Sequence, residues 1–147
     1  MLQELLGADN AEPPALRPKN SLEGRRILVV DDNAINLEVA AETLLSRGAV
    51  VDTAAGGNEA LGSIDRAAYD LVLLDLTMPD VDGIAVGKAI RASKLNANVA
   101  VLLFTAADDD DARQASLEVG AVGYVSKPVD IDALLDLVWT HSTNPNE

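Results

Sequence analysis

Five side chains that could do chemistry lie at, or just after, the ends of short apolar runs in the sequence. They are Asp31, Asp32, Asp75, Thr105 and Lys127. Clustered carboxylates repel one another unless a cation neutralises them, and oxygen ligands without histidine or cysteine suit Mg²⁺. A carboxylate nucleophile, a metal ion, a hydroxyl group and a lysine are components of a phosphoryl-transfer site. The five residues therefore predict phosphoryl transfer if the fold brings them together.

The simpler interpretation is that an individual aspartate only caps the helix that follows it. Asp32 and Asn33 could both do so, because a predicted helix begins at Ala34. For any single residue capping is the better explanation. For five residues at four strand ends it is not.

The elements that must position these residues follow an alternating pattern. Predicted strands cover residues 27–30, 70–74, 99–104 and 122–125, with a further strand beginning at Val50. Predicted helices cover residues 34–47, 58–66, 83 to about 93, 108–119, and 131 to about 139 after a cap at Asp130. Continuous apolar strands indicate burial on both faces, hence an α/β fold with a doubly wound, five-stranded parallel sheet.

The strand order decides whether the acids meet. We expect the order 2-1-3-4-5 of flavodoxin-like (βα)5 folds, with right-handed crossovers. This order makes the first and third strands neighbours, and function in such sheets lies beyond the carboxyl ends of the strands. Asp31, Asp32 and Asp75 would then share one pocket.

The ends of the chain differ from its centre. Residues 1–23 contain three prolines and few β-branched residues, so we expect a flexible linker or tail there, followed by one domain at 24–142 and a disordered tail at 143–147. No basic segment precedes an apolar stretch at the amino terminus, and no apolar run approaches the roughly 20 residues of a membrane helix. A cytoplasmic location is the expectation.

Composition excludes several classes of site. The net charge of −13 disfavours nucleic acid as a partner, because phosphate backbones repel a strongly negative protein. The chain has no cysteine and a single histidine, His141, in its polar end. Thiolate chemistry and multi-histidine metal sites are therefore excluded.

The motifs around the five residues resemble those of receiver domains of two-component response regulators. They are Ile-Leu-Val-Val-Asp-Asp-Asn at 27–33, Asp-Leu-Val-Leu-Leu-Asp-Leu-Thr-Met-Pro-Asp-Val-Asp-Gly at 70–83, Phe-Thr-Ala at 104–106 and Gly-Tyr-Val-Ser-Lys-Pro at 123–128. The resemblance covers about residues 25–140. It implies a signalling domain that takes a phosphoryl group from a histidine kinase or a histidine phosphotransfer protein.

The resemblance also implies a role for each matching residue. Asp75 would be the phosphoacceptor, and Mg²⁺ would be bound by Asp32, Asp75 and the Thr77 carbonyl, with Asp31 acting largely through water. The phosphoryl group would be contacted by three further residues, which are Lys127, Thr105 and Ala106. Tyr124 would be the aromatic switch residue that rearranges together with Thr105.

The phrase Val-Asp-Asp-Asn-Ala-Ile-Asn at 30–36 is most similar to receivers fused to hybrid histidine kinases. A free-standing single-domain regulator is the alternative. A small Mg²⁺-dependent aspartyl phosphatase would need a second aspartate at position 77, where Thr77 stands. Flavin-binding and cobalamin-binding modules are further rivals, but a cobalamin site needs a loop histidine.

Three finer expectations follow. The bond between Lys127 and Pro128 should be cis, an expectation that rests on the resemblance because few such bonds are cis. The resemblance implies that positions 77 and 107 tune the access and orientation of the hydrolytic water. Since neither Thr77 nor Ala107 carries an acid or amide, self-dephosphorylation should be slow to intermediate.

The third expectation concerns the first helix. Its inward stripe should be Leu37, Ala40, Ala41 and Leu44. Ile35 and Val39 should lie on the opposite face and, with Pro128, form a docking surface for the phosphodonor.

Overall fold

The computed structural model describes residues 21–76, 78, 81–105, 110–126 and 131–142, in which strands and helices alternate. The strands are β1 (Arg26–Val30), β2 (Val50–Ala54), β3 (Leu71–Asp75), β4 (Ala100–Thr105) and β5 (Gly123–Ser126). The helices are α1 (Ala34–Leu45), α2 (Gly57–Arg66), α3 (Gly83–Ala92), α4 (Asp110–Val119) and α5 (Ile131–His141).

The strands form one parallel sheet in the order β2-β1-β3-β4-β5, which confirms the predicted fold class and order. β1 lies between β2 and β3, and its last residue, Val30, is paired with both Ala54 and Leu74. β3 therefore ends one residue beyond the level at which β1 ends.

Side chains from alternating strand positions build a core on each face of the sheet. In β1, Leu28 and Val30 join the cluster beneath α2, α3 and α4, whereas Ile27 and Val29 join the cluster beneath α1 and α5. All four are fully buried. This two-sided burial is why the strands read as continuous apolar runs.

Element boundaries differ from the predicted ones by one or two residues. β3 spans Leu71–Asp75, so Asp75 is the last residue of the strand rather than the first after it. α1 ends at Leu45, two residues early, because the chain turns there and reaches a positive φ of 96° at Gly48. α5 continues two residues beyond the predicted end, to His141, which is half-buried.

The packed core begins before the predicted domain boundary. Leu22 is fully buried, and its N–H donates to the Arg47 carbonyl at 2.8 Å. The Arg25 side chain closes the same turn by donating to the Ser21 carbonyl at 2.8 Å. A boundary between residues 23 and 24 thus passes through a packed turn. The segments 1–20 and 143–147 lie outside the described residues.

In the part of the chain that the structure describes, no helix combines the length and apolar character needed to cross a membrane.

Candidate functional site

The register of the sheet places Asp31 beside Asp75. Val30 is paired with Leu74, so Asp31 and Asp75, which follow these two residues, lie side by side. The Asp31 N–H donates to the Ala54 carbonyl at 3.1 Å, which continues the β1–β2 ladder by one step. The backbone therefore fixes both aspartates at the carboxyl edge of the sheet.

Asp32 completes a cluster of three carboxylates. One oxygen from each of Asp31, Asp32 and Asp75 lies within 4.8 Å of the other two. Asp31 and Asp75 are only 1% and 2% exposed, whereas Asp32 is exposed to solvent. Carboxylates held this close and shielded from water require a counter-charge. The donor set fits a hard divalent cation that keeps several of its waters.

Asn33, rather than Asp32, caps helix α1. The Asn33 Oδ1 accepts hydrogen bonds from the Ile35 and Asn36 N–H groups, both at 3.0 Å. The Asn33 N–H in turn donates to Asp31 Oδ1 at 2.9 Å, which orients that carboxylate. The capping explanation therefore applies to Asn33, and the carboxylate of Asp32 is not the one that caps the helix.

The segment after β3 folds back on the strand end. The Gly83 N–H donates to the Leu76 carbonyl at 3.2 Å, and the Asp82 carboxylate caps α3 by accepting from the Ile84 N–H at 2.8 Å. A Cβ on Gly83 would lie 2.5 Å from the Asp75 carbonyl oxygen. Sequence reasoning quoted Gly83 within a motif but gave it no role. A glycine at a helix start just after a strand-end loop was the available signal for a close backbone approach.

Apart from those on helix α1, two of the remaining site candidates are among the described residues and four are not. The backbone of Thr105 lies at the end of β4, paired with Ser126 and one residue beyond the partner of Asp75. Tyr124 is half-buried on β5 and packs against the α2–α3–α4 side of the core. Four residues with expected roles lie outside the described residues, and so does the predicted cis bond before Pro128. They are Thr77, Ala106, Lys127 and Pro128.

Helix α1 exposes the apolar pair that the sequence placed on its outer face. Ile35 is 72% exposed and Val39 is 48% exposed. On the inner face Ala40 and Leu44 are buried, and Leu37 and Ala41 are half-buried. The helix begins two residues after Asp32, so the exposed pair lies next to the carboxylate cluster.

The family model of the response regulator receiver domain matches residues 27–139 of the chain. The chain therefore belongs to the receiver domain family of two-component signalling.

Its relatives include a histidine kinase and a sensor protein that are both much longer than this chain. Histidine kinase 3 of Arabidopsis thaliana is 32% identical over 92% of this chain and 15% of its own length. Sensor protein GacS of Pseudomonas syringae pv. syringae is 33% identical over 95% of this chain and 16% of its own. The chain thus spans a small part of these relatives. Transcriptional regulatory protein TcrA of Mycobacterium tuberculosis is 36% identical over 77% of this chain and 44% of its own.

Solved structures agree with the family. The receiver domain of sensor histidine kinase PA1611 from Pseudomonas aeruginosa PAO1 superposes with a TM-score of 0.75 at 31% identity, covering 81% of this chain and 98% of that one. That structure has a magnesium ion coordinated in its active site cleft. A chemotaxis protein of Vibrio cholerae, CheY4, superposes with a TM-score of 0.76 at 30% identity, covering 80% and 98%.

Proposed function

We propose that Asp75 accepts a phosphoryl group from a phosphohistidine on a partner protein, with Mg²⁺ held at Asp31, Asp32 and Asp75. The observation that carries the proposal is the cluster of three carboxylates within 4.8 Å. The cluster lies at the carboxyl edge of a receiver sheet, where such folds bind their ligands. The magnesium in the cleft of the related P. aeruginosa receiver supports the choice of metal.

The reaction is a direct transfer between two side chains. A carboxylate oxygen of Asp75 attacks phosphorus, an O–P bond forms, and the P–N bond to histidine breaks. The imidazole leaves with the bonding electron pair. It leaves as the neutral ring because its other nitrogen carries a proton. Bound Mg²⁺ would neutralise the charge that gathers on the phosphoryl oxygens. The position of Asp75 within β3 supports this role, because the strand holds its backbone in place.

Other residues complete the proposed site by their match to the family motifs. The Thr77 carbonyl would be a further metal ligand. Lys127, the Thr105 hydroxyl and the Ala106 amide would contact the phosphoryl oxygens. Tyr124 would move with Thr105 when Asp75 is phosphorylated and so transmit the signal.

The exposed face of α1 is the proposed seat for the phosphodonor. Ile35 and Val39 lie one helical turn apart on the helix that starts at the carboxylate cluster. A helix of the partner that delivers phosphohistidine to Asp75 must pass over this rim, and an apolar pair there offers it contact area. By the family match, Pro128 would line the other side.

The test of the chemistry is intact-mass measurement after incubation with acetyl phosphate. Wild type should gain one phosphoryl group when Mg²⁺ is present and none when it is chelated. Asp75→Asn should gain none. Asp136→Asn, an exposed acid on α5, is the matched control and should be labelled normally. Undiminished labelling of Asp75→Asn would refute the assignment.

The test of the docking seat compares two kinds of donor. Ile35→Ala with Val39→Ala should slow phosphotransfer from the partner protein about tenfold, while acetyl phosphate labelling stays unchanged. Leu45→Ala is the control, because Leu45 is 53% exposed on the same helix but lies at its far end. If transfer from the protein donor is unchanged in the double variant, the seat is elsewhere.

We further infer that the chain is the receiver segment of a hybrid histidine kinase. The kinases of A. thaliana and P. syringae match 92% and 95% of its length. A cytoplasmic location follows from the same proposal, since ATP supplies the phosphohistidine there. The test is ATP-dependent histidine labelling of the longer chain that would contain this receiver. Such labelling would decide against a free-standing regulator.

A further inference from the structure

In the described residues, positive and negative side chains are distributed differently at the two ends of the sheet. Because all strands are parallel, helices run back and place their carboxyl-terminal ends beside the starts of the strands. Most of the Lys and Arg side chains in the described residues lie at that end. They are Arg25, Arg26, Arg47, Arg66, Arg91 and Lys94. Acids such as Asp52 and Asp70 accompany them, so this end is mixed in sign.

Among the described residues, the side chains at the carboxyl edge, where the site lies, are mostly acidic. Besides the three clustered aspartates it carries Asp82 at the start of α3 and Glu59 at the start of α2. In the described part of the chain, Arg113 is the one cation in the first turns of a helix at this edge. Lys88 lies midway along α3 and pairs with Glu118 at 3.7 Å.

The exposed face of α1 continues this acidic surface. Ile35, Glu38, Val39 and Glu42 follow the i, i+3, i+4, i+7 spacing of one helical face, and all four are exposed. Helix α1 contains no Lys or Arg at all. The apolar pair is therefore flanked by carboxylates on its own helix and by Asp32 at the helix start.

We infer that the phosphohistidine protein that serves this chain presents an apolar centre surrounded by Lys and Arg side chains. The inference rests on the proposed function and specifies the partner. An acidic contact surface would place like charges against Asp32, Glu38 and Glu42, and such juxtapositions are costly. A basic partner surface is attracted to the acidic edge before the two proteins touch, and that attraction accelerates association.

The same field acts in the opposite sense on small phosphodonors. Acetyl phosphate is an anion, so the acidic edge repels it until charges are screened. Raising the salt concentration shortens the Debye length from about 14 Å at 50 mM to about 6 Å at 300 mM. Transfer from a basic protein should therefore slow with salt, whereas labelling by acetyl phosphate should not slow.

The experiment measures both rates on the full chain at about 50 and about 300 mM KCl with saturating Mg²⁺. The protein donor is a phosphorylated histidine phosphotransfer protein chosen by profiling a panel that spans basic to acidic contact surfaces. We expect the efficient donors to be the basic ones, and their transfer rate to fall about fivefold or more across this range. Acetyl phosphate labelling should stay constant or rise.

Charge reversal provides matched variants. Glu38→Lys with Glu42→Lys should slow protein transfer about tenfold at low salt and flatten its salt dependence. Glu23→Lys with Asp65→Lys makes the same change in net charge at exposed positions near the other end of the sheet, and should leave the rate within about twofold.

Several results would overturn the inference. They are efficient transfer from acidic donors, a protein transfer rate that rises with salt, or equal effects of the two double variants. Acceptance from no donor in the panel, with acetyl phosphate labelling of Asp75 intact, would also overturn it. Loss of acetyl phosphate labelling itself would instead refute the proposed function, so the two failures are distinguishable.

Discussion

Gly83 lies directly against the backbone of Leu76. Its N–H donates to the Leu76 carbonyl at 3.2 Å, and a Cβ at this position would stand 2.6 Å from the Leu76 Cα. The segment between the end of β3 and the start of α3 is therefore closed at its base by a contact that only glycine permits. Through this contact α3 is held against the strand that carries Asp75.

Gly83→Ala should destabilise the protein and slow phosphorylation. The new methyl group must displace backbone, not a flexible side chain, so we expect a loss of about 1–3 kcal/mol in the free energy of unfolding. Acetyl phosphate labelling of Asp75 should slow because the strand end shifts. Gly62→Ala is the control: it faces only the end of the Arg66 side chain and should stabilise α2 by about 0.5–1 kcal/mol. Urea unfolding measures both, and equal effects would contradict the explanation.

Asn96 should be among the most sensitive polar residues in the fold. It is 1% exposed, and its amide donates to the Ile64 and Ala67 carbonyls, both at 2.8 Å. Its carbonyl oxygen accepts from the Tyr69 N–H at 2.8 Å. Asn96→Ala leaves two buried backbone groups and one partly buried backbone group without this partner, so unfolding free energy should fall by about 3 kcal/mol or more.

The control for this prediction is Asn98→Ala, because Asn98 is exposed two residues away. It should change unfolding free energy by no more than about 0.5 kcal/mol. Chemical denaturation of both variants, monitored by circular dichroism, gives the comparison. A loss below about 1 kcal/mol for Asn96→Ala would show that the network is dispensable.

Tyr69 should ionise well above the ordinary range of tyrosine. Burial, followed by the hydrogen bond from its hydroxyl to Asp52 at 2.7 Å, raises the pKa of Tyr69 to about 12. Absorbance at the tyrosinate band in a Tyr124→Phe background should report this pKa, since the chain has two tyrosines. Asp52→Asn should lower the pKa of Tyr69 without restoring it fully, because burial remains. If Tyr69 in the Tyr124→Phe protein, with Asp52 intact, titrated near pH 10, the assignment would be contradicted.

The same shift predicts a pH dependence of stability. The folded state holds the Tyr69 proton more tightly than the unfolded chain, so its contribution is present below the unfolded pKa of about 10. It is lost as the pH rises through the folded value of about 12. Tyr69→Phe should remove this part of the decline in unfolding free energy over that range.

Self-dephosphorylation should be slow to intermediate in the wild type and faster when position 77 or 107 is changed. By the family match, side chains there would orient the hydrolytic water, and Thr77 and Ala107 offer no acid or amide. Introducing Asn at position 77 or Glu at position 107 should speed phosphate loss, as measured by the decay of the phosphorylated mass. Decay that stays unchanged in both variants would place the water elsewhere.

The sequence was sufficient for the fold and for the meeting of three aspartates at the ends of β1 and β3. Continuous apolar runs such as 27–30 signal burial on both faces, and parallel strands bring their carboxyl ends to one edge. These two rules predict that Asp31, Asp32 and Asp75 lie together, and one carboxylate oxygen from each lies within 4.8 Å of the other two.

Tertiary structure alone decided which of these acids are buried and what holds them. Asp32 is exposed while its neighbour Asp31 is not, and no local pattern distinguishes two adjacent aspartates. The turn that buries Leu22 depends on a bond to Arg47, 25 residues later in the chain.

Arg91 shows most clearly why contacts between distant elements could not be predicted from the sequence. Its guanidinium donates to carbonyls at the end of α4 and before β4, including Val119 at 2.9 Å and Val99 at 2.6 Å. Burial lowers the pKa of Arg91. In the sequence it is only a basic residue near the end of a helix, which is where a cation is expected from the helix dipole. Local patterns set the period and direction of each element, whereas contacts between distant elements depend on how those elements pack in three dimensions.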